Sequence, residues 1–138
     1  MLDTNTLPHV MLSRYVINGM LKRPTKSAII NVASIAGTFP MAGNATYSAT
    51  KMFMDYFSRS FGFEVRKKVD VISLRPHYVE SNMSKMKRGG FCISAEECVN
   101  SSLRDLGHTD ATFGPLKHDI MGWALKMGHW LVPNYLGK

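Results

Sequence analysis

The stretch SAIINVASIAGTFPMAGNATYSATK, residues 27–51, decides the fold of this chain. It begins with a continuous apolar run over residues 27–33, rich in β-branched side chains, which is typical of a buried parallel strand. A loop that contains glycine and proline follows over residues 35–43. From residue 45 the apolar side chains recur at three-to-four spacing, which predicts a long helix to residue 66. A strand, a loop and a helix in this order favour an α/β fold.

Helices and strands alternate along the rest of the sequence as well. This alternation predicts a parallel sheet whose strands are joined by crossover helices. Three strands make a thin sheet, and the first helix has no strand before it. We therefore expect a partial Rossmann-like, doubly wound parallel sheet with flanking helices, in a single domain over residues 1–138. We predict helices over residues 4–22, 45–66, 94–106 and 118–131, strands over residues 27–33, 69–74 and 111–116, and an irregular segment over residues 77–93.

Three element boundaries carry local signals. Pro8 lies near the start of the first predicted helix, where its missing N–H costs nothing. Ser94 and Glu97 form a capping box, with Ser94 as the N-cap of the third helix. Pro133 is expected to end the last helix.

The charge and the cysteines exclude several classes of protein. The 138 residues carry a formal charge of +7 and a pI near 9.6. The basic residues are scattered and no recognition helix accompanies them, so we expect no nucleic-acid binding. A phosphate-bearing cofactor or substrate, or an anionic membrane surface, explains the charge at least as well. Cys92 and Cys98 are expected to be buried or incidental thiols, and no metal site is expected because no histidine pair has ligand spacing.

Ser34, Tyr47 and Lys51 form the pattern that indicates a chemistry. Tyr47 and Lys51 are spaced i, i+4, so both side chains emerge from one face of the predicted helix. A phenol with an ordinary pKa of about 10 is a poor acid at neutral pH, and a nearby ammonium favours its ionised form. Ser34 follows the first predicted strand, at the edge where such sheets bind ligands. A lone Tyr-x-x-x-Lys arises often by chance, but the upstream serine favours proton transfer to or from a substrate oxygen.

The motif NVASIAG…YSATK resembles the active-site segment of the short-chain dehydrogenase/reductase family in its order and spacing. The resemblance implies hydride exchange with a nicotinamide cofactor, with Ser34, Tyr47 and Lys51 as catalytic residues. It also implies that Tyr47 and Lys51 lie at the cofactor. Asn5 matches by distance the asparagine that, in this family, holds a water relaying protons to the lysine. A cap at the start of a helix is the alternative interpretation of Asn5.

After the second predicted strand the family carries Pro-Gly-x-Val-x-Thr, and here the segment reads Pro76-His77-Tyr78-Val79-Glu80-Ser81. The resemblance implies that Pro76, His77, Val79 and Ser81 contact the nicotinamide carboxamide and the phosphates. A bulky residue after this proline is typical of the very-long-chain 3-oxoacyl-CoA reductases and related 17β-hydroxysteroid dehydrogenases. The segments MLSRYVINGMLKR, TYSATKMFMDYFSRSF and FGPLKHDIMGW are similar to that branch.

The family's cofactor-binding loop, Thr-Gly-x-x-x-Gly-x-Gly, does not occur in these residues. We therefore expect the chain to correspond to the catalytic half, to lack the dinucleotide-binding half, and to show little or no reductase activity. The first strand should then expose an apolar edge. Two alternatives stay open: an incomplete gene model, and a non-catalytic truncated paralogue that acts as a dimerisation or interaction module. Homodimers of the family commonly pack the helices represented here by residues 4–22 and 45–66.

The branch further implies NADP(H) as cofactor and a lipid-like ketone, an acyl-CoA or a steroid, as substrate. It implies the cytosolic side of the endoplasmic reticulum membrane, or the cytoplasm if the missing part carried the anchor. No signal peptide or membrane-spanning run is recognised. The last helix, with Trp123 and Trp130, is compatible with a membrane interface, although closure over the acyl site or core packing is expected instead. His118 and His129 are expected to be solvated or to cap a helix.

Overall fold

The structure is a computed structural model that describes residues 1–82 and 84–131. The predicted helix end at Pro133 lies outside these residues, and so do the side chains of His129 and Trp130. A short 3₁₀ turn, Ile35–Gly37, follows the first strand. The remaining elements are α1 (Leu2–Asn5), α2 (Leu7–Leu21), β1 (Ser27–Val32), α3 (Ala45–Val65), β2 (Val69–Leu74), α4 (Ala95–Asp105), β3 (Ala111–Thr112) and α5 (Leu116–Leu131).

The three strands form one parallel sheet in the order β1-β2-β3. Strands β1 and β2 pair along their whole length, from Ser27 opposite Val69 to Val32 opposite Leu74. Strand β3 pairs only with the end of β2. Helix α3 connects β1 to β2, and α4 connects β2 to β3. The predicted α/β class and parallel sheet are confirmed.

Alternate side chains of β2 enter two separate apolar clusters, because successive residues of a strand point to opposite faces. Val69 and Val71 pack with Val65 of α3 in one cluster. Leu74 packs with Ile93 and Cys98 in the other. The sheet is therefore covered by helices on both faces, as a doubly wound sheet requires. Partly buried side chains complete the first cluster: Ile17, Met20, Ile29 and Phe61.

Strand β1 lies at an open edge of the sheet. The Ser27 amide donates to the Lys68 carbonyl and the Ala33 amide to the Leu74 carbonyl, so the odd-numbered residues of β1 face β2. The backbone groups of the even-numbered residues, including Val32, therefore point to the open edge. Val32 as a whole residue is also 49% exposed. This is the apolar edge that the sequence predicted.

The sequence predicted one continuous first helix, but the structure interrupts it at Thr6. Pro8 has no N–H to donate to the carbonyl four residues earlier, so the hydrogen-bond ladder is broken there. The third strand is also shorter than predicted, since it ends at Thr112. Gly114 has a φ of +95° and Pro115 lacks a donor, so neither continues the ladder.

Two smaller predictions are confirmed. The Ser94 hydroxyl accepts a hydrogen bond from the Glu97 amide at 3.1 Å, which caps α4. Cys92 and Cys98 are buried, free thiols. Within the described part of the chain, no helix combines the length and the apolar character needed to cross a membrane.

Candidate active site

Tyr47 and Lys51 share one face of α3, as predicted. Helix α3 begins at Ala45, so Tyr47 lies in its first turn. The Lys51 Nζ atom lies 5.8 Å from the centroid of the Tyr47 ring, and it donates a hydrogen bond to the Val32 carbonyl at 3.1 Å. Burial lowers the pKa of Lys51, because desolvation disfavours its ammonium. A half-buried cation therefore lies next to the phenol and reaches the open edge of β1.

Ser34 lies where β1 gives way to the 3₁₀ turn. Its backbone is extended, with φ −170° and ψ 155°, and its Oγ accepts from the Ala36 amide at 3.2 Å. The next residue, Ile35, donates its amide to the Pro76 carbonyl at 3.1 Å. This bond ties the turn to the chain that leaves β2. Ser34 is therefore at the carboxyl edge of the sheet, as the sequence predicted, and its O–H remains available to donate.

Gly37 allows the 3₁₀ turn to pack directly on α3. A Cβ atom at this position would lie 2.5 Å from the backbone carbon of Lys51 and 2.6 Å from the nitrogen of Met52. Real carbon atoms do not approach backbone so closely, so only glycine fits here. The missing Cβ sets how near the turn that begins at Ser34 can come to Lys51.

Asn5 reaches the same helix through a chain of hydrogen bonds. Its Nδ2 donates to the Thr50 Oγ1 at 3.1 Å, and Thr50 Oγ1 donates to the Tyr47 carbonyl at 2.7 Å. Asn5 is the last residue of α1, and neither α1 nor α2 has a side-chain cap at its start. The alternative interpretation of Asn5 as a cap is therefore wrong. Thr50, only 1% exposed, joins Asn5 to the helix that carries Tyr47 and Lys51.

His9 is a further titratable group near this face of α3. Its pKa is lowered, first by burial and then by the positive charge of Lys51, while an interaction with the Asn5 backbone opposes both. No sequence motif marks His9, since it lies in a helix between residues of no recognisable pattern.

The Pro76–Ser81 segment is held by other parts of the chain. The His77 amide donates to Nδ1 of His118 at 3.3 Å, and the His77 ring stacks edge-on against Tyr78 at 4.3 Å. Burial, and then His118, lower the pKa of His77. The expectation of a solvated or capping His118 is wrong, because this side chain is 0% exposed and bonds across the fold.

Val79 and Ser81 lie further along this segment. Val79 forms an isolated parallel bridge with Ile93, whose backbone bonds go to Tyr78 and Glu80 on either side of Val79. The amide of Val79 therefore faces the opposite side of the chain. Ser81 accepts from the Ser84 amide at 3.1 Å in a local turn. Within this segment, Pro76 accepts the hydrogen bond from the turn that begins at Ser34. Val79 is instead paired with Ile93, and Ser81 bonds within its own local turn.

Sequence reasoning missed Thr50, Gly37 and His118. Thr50 carries a weak signal, because threonine often donates to the carbonyl of a preceding helical turn. The sequence shows that Gly37 is a loop glycine, but it does not show that Gly37 contacts the backbone of α3. His118 carries none, since its partners are 41 and 27 residues away in sequence.

The arrangement combines a hydroxyl, a phenol and a half-buried ammonium at the carboxyl edge of a parallel sheet. Such a set can bind a polar oxygen and move a proton to or from it. Among residues 1–82 and 84–131, no group of three or more His, Cys, Asp or Glu side chains is arranged to hold a metal ion.

Solved structures of similar fold include two dehydrogenases. A short-chain dehydrogenase from Burkholderia cenocepacia in complex with NADP superposes with a TM-score of 0.81 at 20% identity, over 99% of this chain and 59% of that one. A 7β-hydroxysteroid dehydrogenase gives a TM-score of 0.84 at 19% identity, over 100% of this chain and 57% of that one. At these identities the likeness establishes the fold.

Curated relatives and a family profile give the lineage. The chain is 36% identical to the very-long-chain 3-oxoacyl-CoA reductase of Anas platyrhynchos over 92% of its own length and 41% of that protein. It is 35% identical to the Homo sapiens reductase of the same name over 88% of its length and 39% of that protein. The chain therefore spans about two fifths of the length of these relatives. The profile described as short chain dehydrogenase matches residues 1–90. Since this match covers well over half of the sequence, the chain belongs to the short-chain dehydrogenase family.

Proposed function

We propose that this chain carries the catalytic residues of an NADPH-dependent short-chain reductase that acts on a 3-oxoacyl-CoA or a steroid-like ketone. One observation carries the proposal. The turn that begins at Ser34 packs on α3 at Lys51, whose ammonium lies beside the Tyr47 ring. The names of the relatives, very-long-chain 3-oxoacyl-CoA reductases, support the acyl-CoA substrate first.

Each side chain has a role that follows from its chemistry. The Ser34 Oγ accepts from the Ala36 amide, so its own proton can be donated to the carbonyl oxygen of the substrate. Tyr47 donates its phenolic proton to the same oxygen as charge develops there. Lys51 stabilises the phenolate that remains. Asn5, held by Thr50, supports the water that returns a proton towards Lys51.

The residues present fit the nicotinamide end of NADP(H), which supplies the hydride when bound. The Lys51 ammonium has three N–H donors and gives one to the Val32 carbonyl, which leaves donors for the ribose hydroxyls. The amide of Val79 faces away from Ile93 and can bind an acceptor. With Pro76, His77 and Ser81, these groups would hold the nicotinamide side. The glycine-rich phosphate loop is not among the 138 residues, so we expect them alone to show little turnover.

A chimera that supplies a glycine-rich loop tests the catalytic residues separately from cofactor binding. Residues 1–138 would replace the matching part of the Homo sapiens reductase, and NADPH oxidation would be followed with a long-chain 3-oxoacyl-CoA. Tyr47→Phe should lower kcat by about 100- to 10,000-fold, because it removes the proton donor. Tyr56→Phe is the matched control, since Tyr56 is a 60% exposed tyrosine of the same helix. Equal turnover in both variants would reject the role of Tyr47.

A second candidate is an interaction module without catalysis. Large apolar side chains are exposed on α2 and α3: Tyr15 is 85% and Leu12 62% exposed on α2, and Phe63 is 61% and Tyr56 60% exposed on α3. Strand β1 adds an open edge. Size-exclusion chromatography with light scattering, run beside an NADPH fluorescence titration, discriminates the two candidates. Oligomers without NADPH binding favour the module, and NADPH binding by the chain favours the reductase.

A further inference from the structure

His118 is a buried polar side chain to which the proposed reaction gives no role. It lies in the first turn of α5 and is 0% exposed. Its Nδ1 accepts the His77 amide at 3.3 Å, and its Nε2 lies 2.8 Å from the Phe91 carbonyl oxygen. The imidazole therefore joins three segments: the chain after β2, the loop before α4, and α5.

These two partners select one form of the imidazole. An amide N–H can bond only to a ring nitrogen with a free lone pair, so Nδ1 carries no proton. A carbonyl oxygen can bond only to a protonated ring nitrogen, so Nε2 carries the proton. The neutral Nε2–H tautomer is the one form that satisfies both contacts.

The His77 amide is half of a peptide group that is held on both sides. Its other half, the Pro76 carbonyl, accepts from the Ile35 amide at 3.1 Å, and Ile35 directly follows Ser34. A single trans peptide plane is thus fixed between the turn of Ser34 and the ring of His118. Loss of either hydrogen bond would let the peptide plane rotate, because the one that remains fixes only one end of it.

We propose that His118 is a positioning residue that fixes the Pro76–His77 peptide plane, and with it the nicotinamide-side wall formed by residues 76–81, relative to Ser34. The inference rests on the proposed function for the meaning of that wall. The pinning of the peptide plane itself rests only on the hydrogen bonds.

Nuclear magnetic resonance of the 138-residue chain tests the pinning directly. Ring ¹⁵N shifts should identify His118 as the Nε2–H tautomer, and the exposed His108 serves as the reference ring within the same chain. The amide exchange rates of His77 and Ile35 report the local release of these two hydrogen bonds. Each rate is divided by that of the fully buried Ile72, which removes the contribution of global unfolding. An Nδ1–H tautomer, or rapid exchange at His77 in the unaltered chain, would overturn the proposal.

Three substitutions at His118 distinguish the effect of its hydrogen bonds from the effect of its volume. Asparagine offers an acceptor near the position of Nδ1, whereas glutamine offers a donor near that of Nε2. His118→Leu and His118→Gln should therefore raise the relative exchange rate of the His77 amide by about fivefold or more, and His118→Asn should not. His108→Asn is the control for the substitution itself. If the asparagine and glutamine variants exchange alike, His118 fills space only and the proposal fails.

An NADPH titration of the same variants, each placed in the chimera with the Homo sapiens reductase, tests whether residues 76–81 keep their position at the cofactor. The Kd should rise about fivefold in His118→Leu and return to within about twofold of the original in His118→Asn. An unchanged Kd in His118→Leu, with the His77 amide released, refutes the positioning role. If the unaltered chimera does not bind NADPH, the proposed cofactor function fails, while the exchange data on the 138-residue chain still decide the pinning.

Discussion

Gly37 provides a direct test of how the candidate site is packed. In Gly37→Ala the new Cβ would lie 2.5 Å from the backbone carbon of Lys51, 2.6 Å from the Met52 nitrogen and 2.8 Å from the Lys51 oxygen. All three are backbone atoms of α3, so no side-chain rotation relieves the clash. Ordinary contact begins at 3.4 Å, so the turn and α3 must separate by roughly 0.9 Å (3.4 − 2.5).

The cost of this separation can be estimated. Overpacking of a close contact costs about 1–3 kcal/mol, which for a chain of this length lowers Tm by roughly 3–12 °C. The same displacement moves Ser34 away from Lys51. A misplacement of about 1 Å can reduce turnover by about 100-fold, so activity in the chimera should fall further than stability does.

Urea and thermal unfolding of Gly37→Ala measure the first effect, with Gly19→Ala as the matched control. A Cβ at Gly19 meets nothing within 4 Å, and the residue lies inside α2. Alanine is the better helix former by about 0.5–1 kcal/mol, so Gly19→Ala should raise stability. If Gly37→Ala melts at or above the temperature of the unaltered chain, the close packing of the turn on α3 is refuted.

Three further predictions concern the rest of the fold. Asp55→Ala should destabilise the chain by about 3 kcal/mol in urea unfolding, because the carboxylate lies 3.8 Å from the largely buried Arg75 and offsets its charge. An unchanged free energy of unfolding would mean that water solvates Arg75. Burial lowers the pKa of both His9 and His77 below 6.5, so the unfolded chain takes up protons first. Stability should therefore be steady above about pH 7 and fall as the pH drops through 6.5 towards the folded-state pKa values, less so in His77→Asn; a urea midpoint that rises on acidification would contradict this. Ser94→Ala should cost about 1 kcal/mol and raise exchange in the first turn of α4, since it removes the cap, and unchanged exchange there would show that the cap is idle.

Local patterns predicted the elements that depend on local physics. The strand over residues 69–74 was predicted with its observed bounds, because an apolar run between charged residues and Arg75-Pro76 leaves little choice. The cap at Ser94 follows from hydroxyl chemistry within one turn. Errors arose where one residue interrupts a pattern: Pro8 breaks the first helix, and Gly114 ends the third strand early.

The contacts between distant residues could not be predicted in this way. The spacing of Tyr47 and Lys51 predicted their shared helix face, because both lie on one helix. The bond from Asn5 to Thr50 joins residues 45 apart, and nothing in either neighbourhood encodes it. Periodicity cannot reveal that His118 is buried, because the reason for its burial is the pair of backbone groups that it satisfies.

The open edge of β1 and the candidate site are parts of one arrangement. The backbone of Val32 points to that edge, and its carbonyl receives Lys51 Nζ. Lys51 thus takes the place that an amide of a neighbouring strand takes in a continuous sheet. A strand that pairs with β1 supplies that amide and competes with Lys51 for the Val32 carbonyl. The position of the ammonium beside Tyr47 is therefore coupled to what covers the edge of β1, so the edge must be considered together with the catalytic residues.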